Sequence, residues 1–185
     1  MARTRKISAD DILDAAERVV LRAGATGFSI DAVAQEAGVS KSRVVYDHKS
    51  KSALLEALIE RRLAAEEERV QTAVTDSSHL AHPELFGRIA VAEKVPDDTD
   101  KAVCLAISAA MSSEDRIHDR MSDWTRKDLT AMNKGKRPKA AMLAYLALTG
   151  FCCTEYFNFH QWEPEDRLAI LDGIRAIYTN FPDET

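Results

Sequence analysis

The sequence predicts an all-α fold, on three observations. Apolar residues recur at helical spacing through most of the 185-residue chain, and no stretch sustains the two-residue alternation of a half-buried strand. The first three glycines, Gly24, Gly27 and Gly38, fall between apolar runs where helices would stop, and proline is absent until Pro83. The predicted architecture is an N-terminal three-helix module containing a helix-turn-helix, followed by a C-terminal helical bundle.

Taken in order, Ser8 with Asp11 three residues on resembles a capping box. Ile12, Ala16, Val19, Val20 and Ala23 then repeat along one face as far as Gly24. Ser29 caps a second helix containing Val33, Ala34 and Ala37, Gly38 supplies a turn, and Ser40 caps a third helix running toward Tyr46. A longer helix starts at Ser50, turns Leu54, Leu55, Leu58, Ile59 and Leu63 inward, and loosens at the polar residues Thr75 to Ser78. Beyond Pro83 the pattern stays helical, with breaks expected around Pro96 to Thr99, Lys134 to Pro138 and Gln161 to Pro164. The segment from Ala140 to Phe159 is apolar on more than one face, and after Pro164 a stripe of Ile170, Leu171, Ile174, Ile177, Tyr178 and Phe181 follows. These two helices offer more apolar surface than a chain of this length easily covers, so a homodimer interface is the expected sink.

Composition narrows the function classes. Hydrophobic residues make up 45% and charged residues 30%, an ordinary globular balance. The longest uncharged stretches, Ala102 to Ser113 and Ala140 to Thr154, span 12 and 15 residues, short of a membrane crossing. Asp10, Asp11 and Asp14 follow the basic start instead of an apolar signal core, so the chain is expected in the cytoplasm, away from membranes. Cys104, Cys152 and Cys153 cannot all pair within one chain and lack common zinc spacing; buried reduced thiols or a thiol sensor both fit. The net charge of -5 is uneven: residues 1 to 62 carry 11 Lys+Arg against 9 Asp+Glu, net +2, and the remainder is net -7. No nucleophile-base motif, phosphate loop or metal-ligand pattern stands out, so neither an enzyme nor a cofactor is expected.

The informative stretch runs from Phe28 to Lys51. Ala34 lets two helices approach, Gly38 permits a sharp turn, and Val39 and Val44 anchor the second helix of the motif. With Val44 inward, Ser40, Lys41, Ser42, Arg43 and Tyr46 are left largely to solvent or to a groove. Arg43 is the candidate for reading a base, since a guanidinium bonds bidentately to guanine O6 and N7; a solvated surface arginine is the alternative. Ser29, Ser40, Lys41, Tyr46 and Lys51 fit phosphate contacts, the two serines serving equally as caps. Arg3, Arg5 and Lys6 could reach backbone or minor groove, or form a frayed terminus.

Residues 8 to 60 resemble the TetR family of bacterial transcriptional regulators. Ala37-Gly-Val-Ser-Lys41 is similar to that family's turn and recognition-helix start, and Ser50-Lys51 with Leu54 and Leu55 to the opening of its fourth helix. The resemblance implies a dimer that grips double-stranded operator DNA with paired helix-turn-helix units and lets go when a small-molecule effector enters the C-terminal body. On that reading residues 1–52 form the DNA-binding domain and 53–185 the effector-binding and dimerisation domain. The chain departs from the family in having Ser42 for a usual glycine, Val45 for a usual tyrosine, and Asp47-His48 for a usual His-Phe pair. Val45 cannot make a tyrosine's phosphate bond but could touch a thymine methyl, Tyr46 could substitute from one position on, and Asp47 would repel any phosphate it faced.

For the effector, Met111, Trp124, Tyr145, Phe151 and Tyr156 are the large adaptable side chains that line apolar pockets, or else core residues at helical spacing. Glu155 could orient a cationic effector, sit at a dimer rim or form an ordinary ion pair. His79 and His82, in a polar segment bounded by Pro83, are expected to be solvated loop histidines rather than metal ligands. A dimeric all-α ligand-binding or thiol-redox protein without operator-specific binding is the competing reading.

Overall fold

The computed structural model describes residues 7–182 of the chain, so Arg3, Arg5 and Lys6 lie outside the described residues. Among these residues every element is a helix, as the apolar periodicity predicts: α1 (Ala9–Gly27), α2 (Ile30–Ala37), α3 (Lys41–Asp47), α4 (Lys51–Asp76), α5 (Pro83–Ala92), α6 (Asp98–Ala110), α7 (Asp115–Met132), α8 (Pro138–Tyr156) and α9 (Pro164–Asn180). No helix among them is long and apolar enough to cross a membrane. The chain divides into two compact units, one running to Ala64 and taking in Asp97–His118, the other comprising Ala65–Pro96 and Asp119–Thr185.

In the first unit, short-range capping sets the helix starts. The Ser8 hydroxyl accepts from the Asp11 amide at 3.1 Å, and the Asp11 carboxylate accepts from the Ser8 amide at 2.8 Å. Gly24, at φ 63°, interrupts the helical path of α1 where the sequence places its end, and Ala23, expected inward, is exposed. Ile12, Val19, Val20, Phe28, Val33, Val44, Leu54 and Leu58 are buried. Arg61 ties α4 to α1 through Asp14 at 2.8 Å and Glu17 at 2.7 Å, and Arg62 extends from Glu17 at 3.0 Å to Asp100 of α6 at 3.4 Å.

The core of the second unit gathers Leu85, Ile89, Met132, Ala140, Ala144, Leu148, Phe151, Leu171, Ile174 and Tyr178. His82 overturns its expectation as a solvated loop residue, being 3% exposed. It sits at the N-cap of α5, where its Nδ1 accepts from the Leu85 amide at 3.2 Å, its Nε2 lies 3.3 Å from the Met132 carbonyl, and its ring meets Tyr178 edge-on at 5.5 Å. The imidazole caps the helix as a serine would, and its apolar ring area favours burial.

Two arginines serve helix C-termini. Arg167 of α9 donates to the backbone carbonyls of Ala92, Glu93 (2.7 Å) and Lys94 (3.2 Å) at the end of α5, and pairs with Glu155 of α8 at 2.8 Å. Arg137 donates to Tyr178 and Thr179 carbonyls at the end of α9, at 2.8 and 3.0 Å. Of the roles open to Glu155, the ion pair is the one the fold realises. α8 is apolar on two sides, as predicted: Ala140, Ala144, Leu148 and Phe151 are buried, while Leu143 and Leu146 stand about half exposed.

Candidate nucleic-acid interface and cavity

Local chemistry builds α3 into a presented rod. Gly38, at φ 67°, closes α2 in the left-handed conformation, which an added side chain would strain, and the Ser40 hydroxyl accepts from the Arg43 amide at 3.3 Å to open α3. Val44 is fully buried and Val39 partly so, which leaves Lys41, Ser42, Val45 and Tyr46 on the exposed side, with Tyr46 at 80% exposure. Ser29 is half-buried and caps α2 through the Ala32 amide at 3.1 Å. The Ser40 and Ser42 hydroxyls lie 2.9 Å apart, and Lys51, at the first position of α4, is exposed.

The charged side chains of α3 are not equivalent. Lys41 reaches Asp31 of α2 at 2.9 Å with both partners mostly exposed, a pair of the kind worth about 0–1 kcal/mol and so readily exchanged for a phosphate. Arg43 is held more closely: its Nη2 donates to the Ile7 carbonyl at 3.3 Å and lies 3.1 Å from the Asp47 carboxylate, with Tyr46 flanking its guanidinium. His48 ends the helix by donating its amide to the Val44 carbonyl at 2.7 Å; burial pushes its imidazole below the usual histidine range against the weaker pull of Asp47. The structure thus brings the eight predicted interface residues to α3 and to the starts of α2 and α4.

The predicted pocket residues do not converge. A cavity of about 530 Å³ in the second unit is walled by α4, α5 and α7, and of the five candidates only Trp124 lines it. Tyr145 stands behind that wall, donating its hydroxyl at 2.9 Å to Asp128, which does line the cavity; burial, then the Asp128 charge, pushes the phenol up to about 12. Phe151 is buried in the core and Tyr156 is half-buried at the end of α8. Met111 follows α6 in the first unit, where the helix stops at a turn the sequence reading did not foresee. The missed lining residues are largely charged. Arg88 joins Asp128 at 2.6 Å and Glu84 at 2.7 Å, and Lys127 pairs with Glu67. Apolar periodicity does not point to such residues.

None of the three cysteines is in a disulfide. Burial, then the neighbouring Glu155 charge, pushes the Cys152 thiol up to about 12. A raised pKa favours the protonated, unreactive thiol at pH 8. Iodoacetamide at pH 8 is therefore expected to spare Cys152 in the folded protein and modify it after denaturation, as peptide mass spectrometry would show.

Residues 12–58 match the model for bacterial regulatory proteins of the tetR family, and residues 87–179 that for the tetracyclin repressor-like C-terminal domain. Among curated proteins, none matches the chain. Solved structures share the fold at low identity. One is a proposed transcriptional regulator from Saccharomonospora viridis in complex with choline, 16% identical, with 95% of this chain and 97% of that one covered at a TM-score of 0.72. The multidrug binding protein EbrR, complexed with malachite green, is 20% identical over 91% and 96%, with a TM-score of 0.68. MexZ from Pseudomonas aeruginosa, a repressor responsible for antibiotic resistance, is 18% identical over 91% and 93%, with a TM-score of 0.60.

Proposed function

Because this chain belongs to the TetR family of bacterial transcriptional regulators, we propose that it is a repressor that holds operator DNA as a homodimer and is released by a small molecule. The observation that carries this reading is α3, pinned by Val44 with Lys41, Ser42, Val45 and Tyr46 turned outward. Lys41, Tyr46, Lys51 and the serines Ser29, Ser40 and Ser42 contact phosphates, Val45 meets thymine methyls, and Arg43 reads guanine. Residues 1–52 carry DNA binding, and residues 53–185 carry effector binding and self-association. The half-exposed Leu143 and Leu146 of α8, with Leu168 of α9, supply apolar surface for a second copy.

The effector enters the cavity beside Trp124, whose size suits a small organic molecule. By favouring one conformation of the dimer it moves the two recognition helices away from a spacing of about one DNA turn, roughly 34–36 Å. The protein works in the cytoplasm and catalyses no reaction.

The test is binding of the full-length protein to the DNA flanking its own gene across a salt series. Affinity is expected to fall steeply as salt rises, because each neutralised phosphate releases counterions. Lys51→Ala is expected to weaken binding to all duplexes alike and to reduce the salt slope by about 1. Loss of selectivity without a change in slope would remove Lys51 as a phosphate contact, and indifference to every duplex in dilute buffer would end the repressor reading.

A further inference from the structure

Arg43 is the one side chain of α3 able to bond guanine through two parallel donors, and its surroundings decide how freely it can do so. A guanidinium offers two planar forks, Nε with Nη2 and Nη1 with Nη2, and both include Nη2. That nitrogen is the one engaged here, lying 3.3 Å from the Ile7 carbonyl and 3.1 Å from Asp47 Oδ2. The hydrogen bond from that nitrogen goes to the Ile7 carbonyl; Asp47 accepts none and holds the guanidinium by charge, its Oδ2 lying beside the nitrogen common to both forks.

Asp47 also has reason to keep its partner. Its side chain is 13% exposed, and Oδ2 is buried with no hydrogen bond among the described residues, so the nearby Arg43 charge compensates it. Withdrawing Arg43 into a DNA groove would leave that carboxylate uncompensated. Lys41 differs, since its partner Asp31 is 70% exposed and solvated without it.

We infer that Asp47 is a positioning residue that competes with guanine for Arg43 and so sets how strongly α3 discriminates bases. In a matched site Arg43 gains guanine and gives up Asp47, whereas in a mismatched site it keeps Asp47. The discrimination observed is the difference between the two. Removing the carboxylate is therefore expected to sharpen base preference. This rests on Arg43 being a base reader, and the experiment separates the two ideas.

Full-length wild type, Asp47→Asn, Arg43→Ala and the double variant are compared by selection from random duplexes, then by affinity across a panel placing each base pair at each half-site position. Asp47→Asn is expected to raise the guanine preference at one position per half-site about tenfold, within the roughly 5- to 150-fold span of one bidentate pair. Arg43→Ala should abolish that gain in the double variant. Asp47→Glu, which keeps the charge, should stay near the wild-type preference, and Asp47→Ser provides a second neutral variant should the amide disturb folding as judged by circular dichroism.

A preference that is unchanged or lower in Asp47→Asn overturns the inference, as does a gain that persists without Arg43. If Arg43→Ala changes preference but neutral replacements of Asp47 do not, the competition fails while the reader survives. If removing Arg43 has no effect in either background, both fall.

Discussion

Arg167→Ala is expected to destabilise the protein by about 3–5 kcal/mol, the usual cost of removing one partner from a buried ion pair. The side chains of Arg167 and Glu155 are only 5% and 9% exposed, so the Glu155 carboxylate would be stranded near Cys152. Three carbonyls at the end of α5 would lose their donor as well. In a chain of this size each kcal/mol moves the thermal midpoint by roughly 2–4 °C, so a drop on the order of 10 °C is expected by calorimetry or urea titration. Arg167→Met combined with Glu155→Leu removes both charges and should recover a large part of the loss. If Arg167→Ala melts within a degree or two of wild type, the pair does not brace the second unit.

Gly87→Ala should also destabilise, against the ordinary preference of about 1 kcal/mol for alanine inside a helix. A Cβ at Gly87 would fall 2.7 Å from the Val74 backbone nitrogen and 2.8 Å from its Cα, and backbone cannot step aside as a flexible side chain can. Overpacking of this kind costs typically 1–3 kcal/mol. Gly173→Ala is the control, because a Cβ there meets nothing within 4 Å; it should gain up to about 1 kcal/mol. Urea midpoints moving in opposite directions would establish the close approach of α4 and α5 in the second unit, and a gain in both would refute it.

These effects differ in how visible they are in the sequence. The α1 capping box, the Ser29 and Ser40 caps, the Gly38 turn and the inward Val44 rest on partners within a few positions, so residue type and spacing suffice to find them. The exposed side of α3 was legible for the same reason. His82 was misread because a polar, proline-bounded stretch resembles a loop, and its burial depends on Met132 and Tyr178, 50 and 96 positions away. The five pocket candidates were chosen as large adaptable side chains, and four of them do not line the cavity, whose wall is instead joined by ion pairs such as Arg88 with Asp128, 40 positions apart. Gly87 stands within a helix and carries no local sign of its crowded neighbour.

By itself the sequence determined the helices of the N-terminal module, their serine caps, the turn before α3 and which face of that helix is buried, because each follows from residue type and spacing over three or four positions. Only the tertiary structure decided what its polar side chains hold. Arg43 found the carbonyl of Ile7, 36 positions back, and Arg167 found the end of α5, more than 70 positions back. A guanidinium offers the same five donors to any acceptor, so its partner is set by which carbonyls and carboxylates the folded chain brings within reach.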